Sequence, residues 1–354
     1  MKIGLLTFHD GINYGAYLQV YSLYHVLLQL GAEPEVLNYK GFFHWAWEYR
    51  CLLWTKRPAR LFANIKKLLR FKRCQKLLTQ TAFTFYRNRL PQYDKVIVGS
   101  DEIWNYSVAH RDTIYFGIGV PAREKYAYAA SFGSVRRDDT FPKVLLEGLK
   151  TFQKIAVRDE NSLQLMQRNL PEKECIKVLD PTLLYDFDAE AIDPTEQNYI
   201  LLYATCDAIP ESIQNEIVAF ARQNNKALVA VGYYMPWCDK NFDSLTPFEW
   251  IGFFKCADMV VTTMFHGTMF SIKYQREFCT ILEPYRVNKL KDLLVELGLA
   301  SRLYAAQRGL TEIFADSIDY AAVNEYLKIK KAFSVDYIKE IIHEENKDLY
   351  SNDR

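Results

Sequence analysis

The sequence contains no apolar run long enough to cross a membrane. Its longest uninterrupted apolar runs are a handful of residues, whereas a membrane-spanning helix needs about 20. The first residues, 1–8, carry one lysine before a short apolar run, and no small-residue cleavage site follows. We therefore expect no signal peptide and a cytoplasmic location.

Cysteine clusters are also missing. The seven cysteines are scattered, odd in number and never spaced as Cys-x-x-Cys. This pattern excludes a disulfide framework and a zinc site, so most of them are predicted to be small buried hydrophobic residues. No metal-ligand cluster is visible elsewhere in the sequence, and we expect neither a metal nor a cofactor.

What is present is typical of a globular protein. Of the 354 residues, 49% are hydrophobic and 25% are charged, which excludes disordered, collagen-like and coiled-coil chains. At roughly 150 residues per domain, this length predicts about two domains.

Charge is unevenly distributed. Twelve Lys and Arg but no Asp or Glu lie between Tyr49 and Tyr93, and subtracting them from the formal net charge of +1 leaves −11 for the rest. Aromatic and aliphatic residues are interleaved with these cations at helical spacing. Residues 42–76 therefore indicate either an interfacial helix on anionic lipid, at the inner face of a membrane, or a solvated helical insertion. No RNA-binding motif accompanies them, and no nucleic-acid partner is expected.

Strand and helix patterns alternate along the chain. Short apolar runs that end in polar residues predict six strands in the first half, at 2–8, 35–39, 95–99, 126–131, 154–157 and 177–179. A linker-like stretch follows at 186–198. The second half predicts strands at 199–204, 227–232, 258–263 and 278–282, with helices between them.

This alternation predicts an α/β fold with two Rossmann-like, doubly wound domains facing a cleft. The predicted domains are 1–190, with a basic helical insertion at about 42–90, then 191–320, then a helical tail at 321–354. Ligands are expected in the cleft, at the carboxyl ends of the strands.

Two residues are the main candidates for binding an anion there. His266 follows a predicted strand and begins a helix, where backbone N–H groups attract phosphate or carboxylate. Gly267 would allow close approach and Thr268 adds a hydroxyl. Arg158 ends a strand in the other domain and offers a two-pronged contact. The alternatives are a hydrogen-bonded structural histidine and an exposed arginine paired with Asp159 or Glu160.

Two further segments follow strands. Residues 99–105 bring Ser100, Asp101, Trp104 and Asn105 to one strand end, where Asp101 could exchange protons while it or Ser100 caps a following helix. The loop with Asn13 and Gly15 lies before a helix and is a candidate for close approach to a ligand. It matches neither Gly-x-Gly-x-x-Gly nor a Walker motif.

Several of these segments together resemble the polysaccharide pyruvyl transferase family. The matching segments keep the family's order over roughly residues 1–300: Thr7-Phe8-His9 with Asn13-Tyr14-Gly15-Ala16 and Leu18-Gln19, Val98-Gly99-Ser100-Asp101-Glu102-Ile103-Trp104-Asn105, Ala129-Ala130-Ser131-Phe132-Gly133, Val157-Arg158-Asp159-Glu160, Leu179-Asp180-Pro181-Thr182 and Phe265-His266-Gly267-Thr268. Glu102 stands where the family's form carries Gln, which adds a carboxylate.

The resemblance implies a two-domain, glycosyltransferase-B-like fold. It also implies transfer of an enolpyruvyl-derived group from phosphoenolpyruvate to two hydroxyls of a sugar, with release of phosphate. It assigns donor binding to Arg158 and His266, and we expect Asp101 to activate a hydroxyl. The expected partners are phosphoenolpyruvate and a sugar or lipid-linked oligosaccharide acceptor. Two alternatives remain: a nucleotide-sugar glycosyltransferase, in which Glu283 binds a ribose, and a membrane-associated scaffold without activity.

Overall fold

The computed structural model describes residues 1–55, 58–108, 112–205, 207–283 and 287–344. Two parallel sheets form its framework. The first contains six strands and the second five. Parallel strands are joined by helices that cover both faces of a sheet, so the central strands have buried apolar residues towards their carboxyl ends, whereas the edge strands also carry charged residues.

All six strands predicted in the first half are present, and all but β5 have ends that differ from the prediction. They are β1 Lys2–Leu6, β2 Glu33–Val36, β3 Tyr93–Val98, β4 Ala122–Ala130, β5 Lys154–Val157 and β6 Cys175–Lys177. The second sheet contains β7 Tyr199–Tyr203, β8 Ala227–Val231, β9 Lys240–Phe242, β10 Met259–Thr262 and β11 Glu277–Thr280. The strand order is β2-β1-β3-β4-β5-β6 in the first sheet and β11-β10-β7-β8-β9 in the second. The edge strand β9 was not predicted, because three residues carry too little apolar periodicity to stand out.

The helices lie between and after the strands. They are α1 Tyr14–Gln29, α2 Phe42–Leu53, α3 Pro58–Gln75, α4 Lys143–Lys150, α5 Glu160–Asn169, α6 Pro181–Leu184, α7 Glu211–Gln223, α8 Pro247–Cys256, α9 Phe265–Lys273, α10 Val287–Glu296, α11 Gly309–Ala315 and α12 Tyr320–His343. None of the helices in the described ranges has the length and apolar content needed to pass through a bilayer.

Helices α2 and α3 form the helical part of the predicted insertion, and we call this pair the basic hairpin. The two helices are joined by a hydrogen bond from Asn64 Nδ2 to the Leu52 carbonyl, at 2.7 Å. After α3 the chain returns beside β2, where Gln80 and Thr84 form bridges to Val36 and Tyr39. The helical insertion therefore ends near residue 75, and the chain after it forms these two bridges and a short 3-10 helix, Arg87–Arg89.

One hydrophobic core connects the two sheets. It includes side chains of α1, α8, α9 and α12 with inward residues of both sheets. In its centre the Tyr14 ring stacks on Trp250, with centroids 5.3 Å apart. The last helix, α12, returns to the first sheet, where Tyr337 donates to the Ala127 carbonyl at 3.0 Å. Helix α12 thus packs against the first sheet.

Candidate active site

A cavity of about 300 Å³ lies between the carboxyl ends of the first sheet and the start of α9. This is where parallel α/β sheets bind ligands. Its lining residues are Phe8, Asp10, Gly11, Asn13, Ala16, Lys40, His44, Glu48, Asp101, Glu102, Arg158, Tyr203, Tyr233, Met264, Phe265 and His266. The structure therefore brings Asn13, Asp101, Arg158 and His266 together from four distant segments.

Arg158 follows β5 directly and holds two carboxylates. Its Nη1 lies 2.8 Å from Asp180 Oδ2 and its Nη2 lies 3.0 Å from Asp101 Oδ1, with the guanidinium 1% exposed. Burial opposes its charge, but the two carboxylates raise the pKa of Arg158 further above its usual value. The exposed pairing with Asp159 or Glu160 is wrong, because the Asp159 side chain instead caps α5.

His266 lies in the first turn of α9, across the cavity from β5. The N-cap residue Met264 supplies no side-chain hydrogen bond, and the amides at the start of a helix favour a negatively charged ligand. His266 Nε2 lies 3.8 Å from Asp180 Oδ2. Asp180, placed after β6 as the cap of α6, thus stands between the arginine of one sheet and the histidine of the other.

Gly15 leaves the space that the His266 imidazole occupies. A Cβ built at position 15 would lie 2.0 Å from His266 Nδ1, so only glycine leaves space for the imidazole against α1. Next to it, Asn13 is the N-cap of α1, and its side chain accepts from the Ala16 amide at 3.1 Å. The predicted close approach in this loop is therefore made by a side chain of the protein.

Asp101 has a backbone φ of 79°, in the left-handed region, which aspartate tolerates better than most residues. Burial alone would raise its pKa, but the charges of Arg158 and His266 outweigh burial and hold the pKa below its usual value. Asp101 is thus an ionised partner of Arg158. The predicted helix cap at Ser100 or Asp101 is wrong, since a turn and not a helix follows.

Two other residues of this segment are buried beside the cavity. The Ser100 hydroxyl donates to Gln19 Oε1 at 2.7 Å, and the Trp104 indole donates to the Tyr115 carbonyl at 2.7 Å within the core. Neither lines the cavity.

Asn105 and the residues after His266 also have structural contacts. Asn105 Nδ2 donates to Glu102 Oε2 at 3.2 Å, which orients a carboxylate that does line the cavity. A Cβ on Gly267 would meet Thr262 Oγ1 at 2.2 Å, and Thr268 is fully buried. Glu283 follows β11 and does not line the cavity either.

Sequence analysis did not identify a second charged group, which lies on the cavity wall opposite Arg158. Lys40 Nζ lies 2.9 Å from Asp10 Oδ1 and also contacts Glu48. Burial alone would lower the pKa of Lys40, but the two carboxylates raise it. Lys40 directly follows a predicted strand, so the strand-end rule could have found it. His44 and Glu48 lie in α2, where nothing in the sequence points to a cavity.

The lining has more acidic than basic groups. Four carboxylates, from Asp10, Glu48, Asp101 and Glu102, accompany the two cations Lys40 and Arg158. An anionic ligand that binds Lys40 or Arg158 therefore competes with these carboxylates for the cation. The pair that faces the start of α9 is Arg158 with Asp101.

The family model described as polysaccharide pyruvyl transferase matches residues 13–283 of the chain. A search of curated proteins finds no match.

Solved structures give the fold. The chain is similar to UDP-GlcNAc 2-epimerase from Neisseria meningitidis bound to UDP-GlcNAc, with 10% identity and a TM-score of 0.50, covering 98% of this chain and 100% of that one. It is also similar to UGT89C1 from Arabidopsis thaliana complexed with quercetin, with 11% identity, a TM-score of 0.52 and coverage of 96% and 99%. The predicted glycosyltransferase-B-like class is confirmed.

Proposed function

The chain belongs to the polysaccharide pyruvyl transferase family and is a transferase of polysaccharide biosynthesis, and from this premise we propose its reaction. The enolpyruvyl-derived group of phosphoenolpyruvate moves onto two hydroxyls of a sugar in a polysaccharide or glycan precursor, and phosphate leaves. The observation that carries the proposal is the convergence of Arg158 and the first turn of α9 on one cavity.

The phosphate and the carboxylate of the donor match the first turn of α9 and Arg158, which lie on two sides of the cavity. In this proposal the phosphate lies against the first-turn amides of α9 and His266, where helix-end donors favour negative charge. The carboxylate takes the Arg158 guanidinium, which suits two-pronged recognition. Arg158 Nε is buried without a hydrogen-bond partner among the described residues, so it has a donor to give.

The proposed steps balance in atoms and charge. A proton adds to the donor's methylene carbon, and a sugar hydroxyl attacks the resulting oxocarbenium-like centre and loses its proton. The carbon–oxygen bond to phosphate then breaks, with a proton going to the leaving phosphate, and a second hydroxyl closes the ketal. The second hydroxyl also loses its proton, so the steps consume two protons and release two, and no electrons pass to or from a redox cofactor.

Asp101 gains a role only when the donor is bound. A carboxylate held by Arg158 is a weak base because its pKa is depressed. When the donor's carboxylate takes the guanidinium, burial becomes the dominant influence on Asp101 and its pKa rises. Asp101 then becomes basic enough to activate a hydroxyl, as the sequence led us to expect.

We place the acceptor sugar on the opposite wall. Asp10 and Glu48 offer carboxylate oxygens to sugar hydroxyls, while Phe8 and Tyr233 supply apolar surface. Lys40 holds both carboxylates in position. The acceptor thus faces the donor across the cavity.

Isothermal titration of phosphoenolpyruvate into the wild type and His266→Ala tests the proposal. We expect binding in the wild type and at least a tenfold loss in the variant. His343→Ala, an exposed histidine in the last turn of α12, is the matched control and should bind as the wild type does. Binding of UDP-GlcNAc in place of phosphoenolpyruvate would overturn the proposal in favour of a nucleotide-sugar reaction.

A further inference from the structure

The basic hairpin turns a row of large apolar side chains towards solvent. On α2 and its C-cap these are Phe43, Trp47 and Trp54, and on α3 they are Phe62, Ile65 and Leu69, all between 39% and 73% exposed. Spacings of three, four and seven residues place each set along one face of its helix. A soluble protein rarely concentrates so many exposed aromatic residues without a partner for them.

The charges on this surface have one sign. Arg50, Arg60, Lys66, Arg73 and Lys76 are exposed, and within the described ranges none of them forms an ion pair with a carboxylate. No acidic residue occurs between Tyr49 and Tyr93. Apolar and aromatic residues flanked by cations complement an anionic lipid surface, whose headgroups attract the charges while the boundary region accepts the rings.

The opposite face of the hairpin is fixed to the rest of the protein. Lys67 Nζ donates to the Gly232 carbonyl at 3.0 Å and lies 4.6 Å from the centre of the Tyr14 ring. Arg70 contacts Glu249 at 2.8 Å, and Phe71 is fully buried. The outward row is therefore held in a set orientation.

The same hairpin contributes to the cavity. His44 and Glu48, on the inner side of α2, line it opposite Arg158. A surface that lies against the outer side of α2 is consequently within one helix diameter, about 10 Å, of the proposed acceptor wall.

We propose that the basic hairpin docks on an anionic bilayer. The docking follows from the hairpin alone and does not depend on the proposed function. The arrangement places the cavity close to the lipid headgroups.

Flotation with vesicles tests the docking. Wild-type protein should float with vesicles of phosphatidylcholine and phosphatidylglycerol, and raising the salt concentration should weaken this binding. Phe62→Glu/Leu69→Glu should lose it at least tenfold. Lys66→Gln should lower it about fivefold, which is the effect of about 1 kcal/mol per surface cation.

The matched control is Val144→Glu/Ile329→Glu, which changes two side chains that are equally exposed but outside the hairpin. It should float as the wild type does. Three results would overturn the proposal. The first is equal binding to vesicles of pure phosphatidylcholine, and the second is no binding to either kind of vesicle. The third is a dimer in solution that dissociates in Phe62→Glu/Leu69→Glu.

Titration with phosphoenolpyruvate keeps the two proposals apart. Phe62→Glu/Leu69→Glu should bind phosphoenolpyruvate as the wild type does, since these side chains point away from the cavity. Lost flotation with retained donor binding in the variant supports docking. A wild type that floats but binds no phosphoenolpyruvate contradicts only the proposed function.

Discussion

The guanidinium of Arg158 lies at the centre of the site and contacts side chains from several segments. Arg158 lies between carboxylates that follow β3 and β6, and the ring of Phe265 lies 4.6 Å from its guanidinium carbon. Because every contact comes from a different segment, the position of this side chain depends on both sheets. The residue predictions below depend on this arrangement.

Arg158→Lys keeps the charge but replaces the planar fork with one ammonium, which cannot hold Asp101, Asp180 and a donor together. We expect turnover with phosphoenolpyruvate to fall at least 100-fold and the free energy of unfolding to fall by about 1–3 kcal/mol, since a buried pair is weakened. Arg123→Lys, at an exposed pair with Asp94, is the control. Wild-type turnover in Arg158→Lys would refute the two-pronged contact.

Donor binding should take up protons through Asp101. When the donor removes Arg158 from this carboxylate, its pKa rises, so affinity for phosphoenolpyruvate should fall as pH increases. Titrations at one pH in two buffers of different ionisation enthalpy measure the uptake, which we expect to be a fraction of one proton at neutral pH, because most of Asp101 must stay ionised to act as a base. Asp101→Asn should remove that part of it. Equal uptake in both proteins would contradict the exchange of partners.

At the scale of elements, α1 and α9 meet at Gly15 and His266. Gly15→Ala would press a methyl group against the imidazole, so we expect at least tenfold weaker binding of phosphoenolpyruvate. The free energy of unfolding should change little, because alanine favours a helix by about 1 kcal/mol over glycine, and this gain offsets the cost of the contact with the imidazole. Gly11→Ala is the control, since its Cβ would meet only Glu48 Oε1, at 3.4 Å. Unchanged affinity in Gly15→Ala, measured by titration calorimetry, would show that the imidazole position is unimportant for the donor.

Elements with strong local signals could be predicted from the sequence. The first-sheet strands could be predicted because each has a short apolar run that ends in polar residues, and the helix after β10 because it follows such a strand end. The helix predicted after Asp101 is a turn, since a capping residue looks the same before either. The contact of Lys40 with Asp10 joins residues 30 apart, and no local pattern encodes such pairing.

At the scale of the whole molecule, Lys67 connects the basic hairpin to the second sheet. Burial lowers its pKa to about 8 from 10.5, so the unfolded chain binds more protons than the folded one between these values. Stability should therefore rise with pH in this window. Relative to Lys67→Met, wild-type unfolding free energy should increase by about 2 kcal/mol from pH 8 to pH 10.

Denaturant titrations at several pH values measure this difference. Lys273, whose pKa burial also lowers to about 8, is present in both proteins and cancels in the comparison. Parallel pH profiles for the wild type and Lys67→Met would contradict a buried, charged lysine at this junction.

The two sheets are connected by the chain twice, because it leaves the first sheet after α6 and returns to it as α12. Lys95 Nζ of β3 donates to the Ile341 carbonyl at 2.8 Å and so holds α12 against the first sheet. Two chain connections prevent the sheets from rotating freely about a single linker. We therefore expect the cavity to widen by rotation of one sheet relative to the other, about the line through the two connections. One angle then describes the motion, and a single pair of fluorophores, one on each sheet, would suffice to follow it.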